Sequence, residues 1–64
     1  MKVNGKDLNP VSPMTVEDLV LSTGRVPDRV AVELNGKIVP RAEYPRILLK
    51  EDDSVEIVGF VGGG

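Results

Sequence analysis

Three consecutive glycines, Gly62, Gly63 and Gly64, close the sequence directly after an apolar stretch containing Val58, Phe60 and Val61. Glycine has no Cβ, so a backbone built from it can pass a narrow channel and take angles closed to other residues. Fully extended, three residues reach roughly 10 Å. That would carry a terminal carboxyl group into a partner's active site while the preceding strand stays outside. An α-carboxyl group has an ordinary pKa of about 3.3 to 3.7. At neutral pH it is ionised, a weak nucleophile, and no acyl donor until its oxygen becomes a leaving group. On composition alone a plain flexible end is the better reading of these glycines, because chain ends are commonly disordered. The rest of the chain has to decide.

The rest of the chain offers little chemistry of its own. Among its 64 residues there is no cysteine and no histidine, the side chains most used as nucleophile, neutral-pH base or zinc ligand. The expectation is a protein that is acted on by enzymes and is not one itself, with no metal and no bound cofactor. The adjacent Glu51, Asp52 and Asp53 read as a solvated turn, since neighbouring carboxylates rarely hold a cation without further oxygen ligands. Pro40 and Arg41 read as turn architecture. The formal net charge is -2, with Lys and Arg scattered from Lys2 to Lys50, so the clustered cations that bind nucleic acid are missing. Met1 is followed by polar residues through Asp7, and no run approaches the roughly 20 apolar residues of a membrane span. The expected location is cytoplasmic.

Positioning the glycines falls to short elements. Asn-Gly occurs at Asn4-Gly5 and Asn35-Gly36, the dipeptide favoured in two-residue hairpin turns. The second hairpin has the firmer arms: Val30, Val32 and Leu34 alternate onto one face, and Lys37-Ile38-Val39 returns before Pro40 stops the ladder. Between the hairpins, Thr15 and Asp18 have capping-box spacing, with Met14 and Leu19 placed for a hydrophobic staple. Val16, Leu19, Val20 and Thr23 then form one helical stripe, and Gly24 ends it. The spacing predicts a helix over 16–23. Downstream, Pro40 and Pro45 bracket a turn, Ile47-Leu48-Leu49 suggests a brief strand, and the last strand runs from Ser54 to Val61. There Val55 and Ile57 face one way, while Glu56, Val58 and Phe60 face the other. The sum is an α+β layout, a mixed sheet of four to five strands with one helix packed on one face. Val58, Phe60 and Val61, with Ala31 on the outward face of its strand, are candidates for a partner-binding patch. A half-buried strand end under a loop explains Val58 and Phe60 equally well.

This order, ending in glycines, resembles the ubiquitin-like β-grasp fold, and the C-terminal half resembles the ThiS family of sulfur carriers of thiamine biosynthesis. The resemblance rests on Val30-Ala31-Val32-Glu33-Leu34-Asn35-Gly36, Val39-Pro40-Arg41, the Leu49 to Asp53 turn, Val55-Glu56-Ile57-Val58 and the Gly62 to Gly64 end. Tyr44 stands where the family commonly has Trp, Asp52 where it commonly has Gly, and the first strand is shorter than the family's.

The resemblance implies one β-grasp domain over 1–61 and a flexible tail over 62–64. It implies that the Gly64 carboxylate is adenylated by an E1-like partner enzyme that uses ATP. A sulfur-donating persulfide protein would then convert it to a thiocarboxylate, with Gly62 and Gly63 threading the partner's active site. A thiazole synthase would receive the sulfur. Related carriers serve molybdopterin synthesis or transfer-RNA thiolation with the same fold and tail. A non-covalent ubiquitin-like module and a conjugated modifier are the alternatives from other classes.

Overall fold

The structure, a computed structural model, describes residues 1–59. Two Asn-Gly turns organise it. Asn4 and Gly5 have φ of 50° and 82°, Asn35 and Gly36 of 52° and 83°. Positive φ at both central residues is the requirement of the hairpin turn that follows the natural twist of its strands. The first turn joins β1 (Lys2–Val3) to β2 (Lys6–Asp7), and the second joins β3 (Val30–Leu34) to β4 (Lys37–Ile38). With β5 (Ser54–Gly59) they form one five-stranded sheet in the order β2-β1-β5-β3-β4. β5 is central, parallel to β1 and antiparallel to β3. The mixed sheet and single helix are the α+β β-grasp arrangement expected from the sequence.

Helix α1 (Val16–Ser22) begins on the capping box: the Asp18 amide donates to the Thr15 hydroxyl, and the Thr15 amide donates to the Asp18 carboxylate. Two amides that a helix start would orphan are thereby satisfied. Val16, Leu19 and Val20 are buried against Val30, Val32, Val55 and Ile57 of the sheet. Each such side chain contributes about 1.5–3 kcal/mol by leaving water, which a helix of two turns requires because it is too short to stand alone. Tyr44 closes the core beside β3, its hydroxyl donating to the Val30 carbonyl at 3.3 Å.

Several expectations are corrected. Thr23 does not continue the buried stripe: it is exposed, caps the helix, and donates its hydroxyl to the Val20 carbonyl. Ile47-Leu48-Leu49 is no strand; a single bridge from Leu48 to Thr15 is all the pairing it makes among the described residues. β4 stops at Ile38, although the Val39 amide still donates to Val32. Asp53 is no solvated turn residue. It is 8% exposed, accepts the Lys50 amide at 2.7 Å and takes the Asn35 side-chain amide at 3.0 Å. A buried carboxylate needs such donors, and here they close the turn that leads into β5. Met1 is also buried, and its ammonium group donates to the Leu8 carbonyl. Among the described residues, no helix is long and apolar enough to cross a membrane.

Candidate functional site

Of the residues singled out for function, Phe60, Val61, Gly62, Gly63 and Gly64 lie outside the described residues. The structure places the platform that leads to them. That platform is β5, which pairs with β3 from Val55 to Gly59 and, on its other edge, with β1 at Ser54 and Val55. The two turn asparagines add to the hold. Asn4 donates its side-chain amide to the Ile57 carbonyl at 3.2 Å and accepts the Ile57 amide at 2.7 Å. Asn35 accepts the Ser54 amide at 2.9 Å while donating to Asp53. The first hairpin turn thus holds the central strand at Ile57 and the second at Ser54, while Gly59 pairs with Val30 of β3.

Gly59 faces Val30 across the ladder, and the Arg25 guanidinium covers it so closely that a methyl group at position 59 would run into it. A strand glycine often marks such a close approach. The guanidinium of an arginine just past α1 occupies the space a side chain would take.

The opposite sheet face carries no helix. Ala31 and Val58 are direct partners in the β3–β5 register, so their side chains adjoin on this face, with Val58 58% exposed. One row further from the tail, Glu33 faces Glu56 on β5 and Ile38 on β4. Ile38 is 75% exposed. The structure therefore brings Ala31 and Val58 together, as their alternation suggested, and adds Ile38, Glu33 and Glu56. Strand alternation turns Glu33 and Glu56 outward, but only the register of two strands more than twenty residues apart in sequence makes them neighbours.

Elsewhere the surface carries less chemistry. The described residues contain no group of acidic side chains close enough to hold a metal ion. At the edge of the sheet, the Lys2 ammonium lies 2.9 Å from the Asp7 carboxylate. Its hydrogen bond and its charge hold the Asp7 carboxyl below the ordinary carboxylate range. A cavity of about 130 Å³ is bounded by Met1, Met14, Leu49 and Lys50. No residue of β5 lines it.

Comparison with known proteins gives this platform a context. The ThiS family model matches residues 1–64. The chain is 37% identical over 65 residues to the sulfur carrier protein ThiS of Bacillus subtilis, covering 100% of this chain and 98% of that one. It is 42% identical over 62 residues to a thiazole synthase of Magnetococcus marinus. That match covers 97% of this chain and only 19% of the relative, so the chain spans about a fifth of that protein's length. The crystal structure of a thiamine biosynthesis protein (ThiS) from Geobacter metallireducens superposes with a TM-score of 0.76 at 30% identity, covering 98% of this chain and 96% of that one.

Proposed function

The chain belongs to the ThiS family, and from that premise we propose that it is a sulfur carrier for thiazole formation in thiamine biosynthesis, with the Gly64 carboxyl group as its reactive end. The observation that carries the reading is the match over the whole chain, including the glycine end, to a family with a sulfur carrier among its members. The central position of β5 supports it: a strand paired with β1 at its start and with β3 from Val55 to Gly59 leads into a stretch whose last three residues have no side chains.

The chemistry follows from what a carboxylate lacks. An oxygen of the Gly64 carboxylate attacks the α-phosphorus of ATP held by an adenylating enzyme, releasing pyrophosphate. The acyl adenylate has AMP as a leaving group, so a persulfide sulfur on a donor protein adds to the carbonyl carbon and expels it. A thiol then cleaves the sulfur–sulfur bond that the persulfide brought, forming a disulfide with the donor's sulfur and leaving the thiocarboxylate, a competent sulfur nucleophile. Each of these steps uses catalytic groups of other proteins; this chain contributes the substrate atoms and their delivery. Gly62 and Gly63 thread the enzyme's channel, while Ala31, Val58, Phe60 and Val61 bear on its rim. ATP belongs to the enzyme and not to this chain, and the carrier works in the cytoplasm. Residues 1–61 act as one folded body and 62–64 as its tail.

A thiazole synthase is the proposed recipient. One fifth of the Magnetococcus marinus thiazole synthase is similar to nearly this whole chain. Joining two units in one polypeptide raises their effective concentration for each other, an arrangement that suits units meant to meet.

Mass spectrometry tests the reading. Incubation with the adenylating enzyme, ATP and a persulfide donor should raise the mass by about 16 Da through exchange of oxygen for sulfur at the terminal carboxyl. Removal of Gly63 and Gly64 should abolish the gain. An unchanged mass of the intact chain with active enzyme refutes it.

A further inference from the structure

We propose that Asn35 is a site of spontaneous deamidation whose conversion to a carboxylate expels the chain from its folded state, whereas Asn4, in the same dipeptide, converts with a far smaller loss of stability. This chemistry is independent of the carrier reading. An asparagine followed by glycine is especially open to it, because glycine has no Cβ to hinder its amide nitrogen. The Gly36 nitrogen, giving up its proton to water, bonds to the Asn35 side-chain carbonyl carbon. The bond from that carbon to the side-chain nitrogen breaks, and ammonia leaves. Water then opens the five-membered imide at either carbonyl, giving aspartate or iso-aspartate, so one water enters for each ammonia lost. Asn35 and Gly36 are both exposed, and water reaches them freely.

The surroundings of Asn35 delay the reaction and penalise its product. Both polar atoms of the side chain are tied: Nδ2 donates to the Asp53 carboxylate at 3.0 Å, and Oδ1 accepts the Ser54 amide at 2.9 Å. For the ring to close, the side chain must leave both partners and swing back to its own chain. The product then has an oxygen where Nδ2 stood. That oxygen has no proton to give Asp53, and two carboxylates at hydrogen-bond separation repel. Asp53 is not free to turn away, because it is buried and its other oxygen accepts the Lys50 amide at 2.7 Å. At Asn4 the same two atoms meet backbone instead: Nδ2 donates to the Ile57 carbonyl, and Oδ1 accepts the Ile57 amide. Conversion there loses the donor, keeps the acceptor, and sets no charge against a buried carboxylate. Iso-aspartate, which adds a backbone carbon to a two-residue turn, strains both turns alike, so the carboxylates make the difference.

Two experiments test this. The first mimics the product: Asn35→Asp should melt at least about 15 °C below wild type or fail to fold, against a few degrees for Asn4→Asp. Asp53→Asn should also melt low, since either orientation of the new amide sets an NH2 group against a donor. The double variant Asn35→Asp/Asp53→Asn exchanges carboxylate and amide, restores donor to acceptor, and should recover most of the loss. The second ages the wild-type chain in mildly alkaline buffer, folded and in denaturant, where each conversion adds about 1 Da that peptide mapping assigns to its site. Asn35 should convert at least about tenfold faster in denaturant than in the folded chain. In the folded sample, the protease-resistant fraction should carry the change at Asn4, and chains changed at Asn35 should collect in the digested fraction. Asn35→Asp as stable as Asn4→Asp, an exchange variant that recovers nothing, or conversion at Asn35 accumulating in the protease-resistant fraction overturns the proposal. So does an Asn35 rate that is the same in denaturant as in the folded chain.

Discussion

Replacing Asn4 by glycine separates two roles that its position combines. As the first residue of an Asn-Gly turn with φ of 50°, Asn4 sits where glycine is at least as well suited, so the turn itself tolerates the change. The relief of left-handed strain and the added freedom of the unfolded chain are both of order 1 kcal/mol or less and oppose each other. What remains is the loss of the two bonds to the Ile57 backbone, at 3.2 and 2.7 Å. At about 0.5–1.5 kcal/mol each, the change should destabilise the fold by about 2 kcal/mol. In a domain of this size that lowers the melting temperature by roughly 8–16 °C. Far-UV circular dichroism reads the melt, and amide exchange reads the cause: the Ile57 amide should lose protection well beyond its neighbours on β5. Asn4→Asp, which keeps the acceptor and loses the donor, should fall between the two. If the glycine variant melts at or above the wild-type temperature with Ile57 still protected, the turn dipeptide is there for its backbone alone, and the fastening of β5 is wrong.

Asp53→Ala removes the acceptor of the Lys50 amide and of the Asn35 side chain, and chemical denaturation should show a loss of about 2–4 kcal/mol. The Asp7 carboxyl should titrate at higher pH in Lys2→Ala than in wild type, followed by carboxyl NMR, since Lys2 is what holds it low. Because that folded-state pKa is depressed, the pair stabilises the fold above the ordinary carboxylate range, and the effect disappears as pH falls through the lowered value. Full exposure keeps it small, so wild type and Lys2→Ala should unfold at nearly the same denaturant concentration at neutral pH.

Much of the fold is legible in residues close together in sequence. The Asn-Gly pairs, the Thr15–Asp18 box and the Val30–Val32–Leu34 alternation each encode their element locally, because backbone angles and capping bonds involve neighbours a few positions apart. The misreadings fall where neighbours do not decide. Ile47-Leu48-Leu49 has strand-like composition, but β3 and β5 already pair with each other and with β4 and β1, and only Leu48 finds a bridge, to Thr15. Asp53 lies among charged residues and looks solvated, yet it is buried and accepts from the side chain of Asn35, eighteen positions earlier. For the candidate site, alternation alone suggested Ala31 and Val58 as outward residues, whereas Ile38 and the glutamate pair emerge from the register of three strands.

The local sequence by itself determined that this chain turns at two asparagine–glycine pairs, starts one helix at Thr15, and contains neither cysteine nor histidine. Those are properties of single residues and of short spans, and short-range sterics and bonding suffice to specify them. Tertiary structure alone decided that both turn asparagines reach across to β5, that a carboxylate is buried beneath one of them, and that two glutamates share a face. Each of those depends on which strands lie side by side, and that is settled by burial of the common aliphatic core, a sum over residues from both ends of the chain.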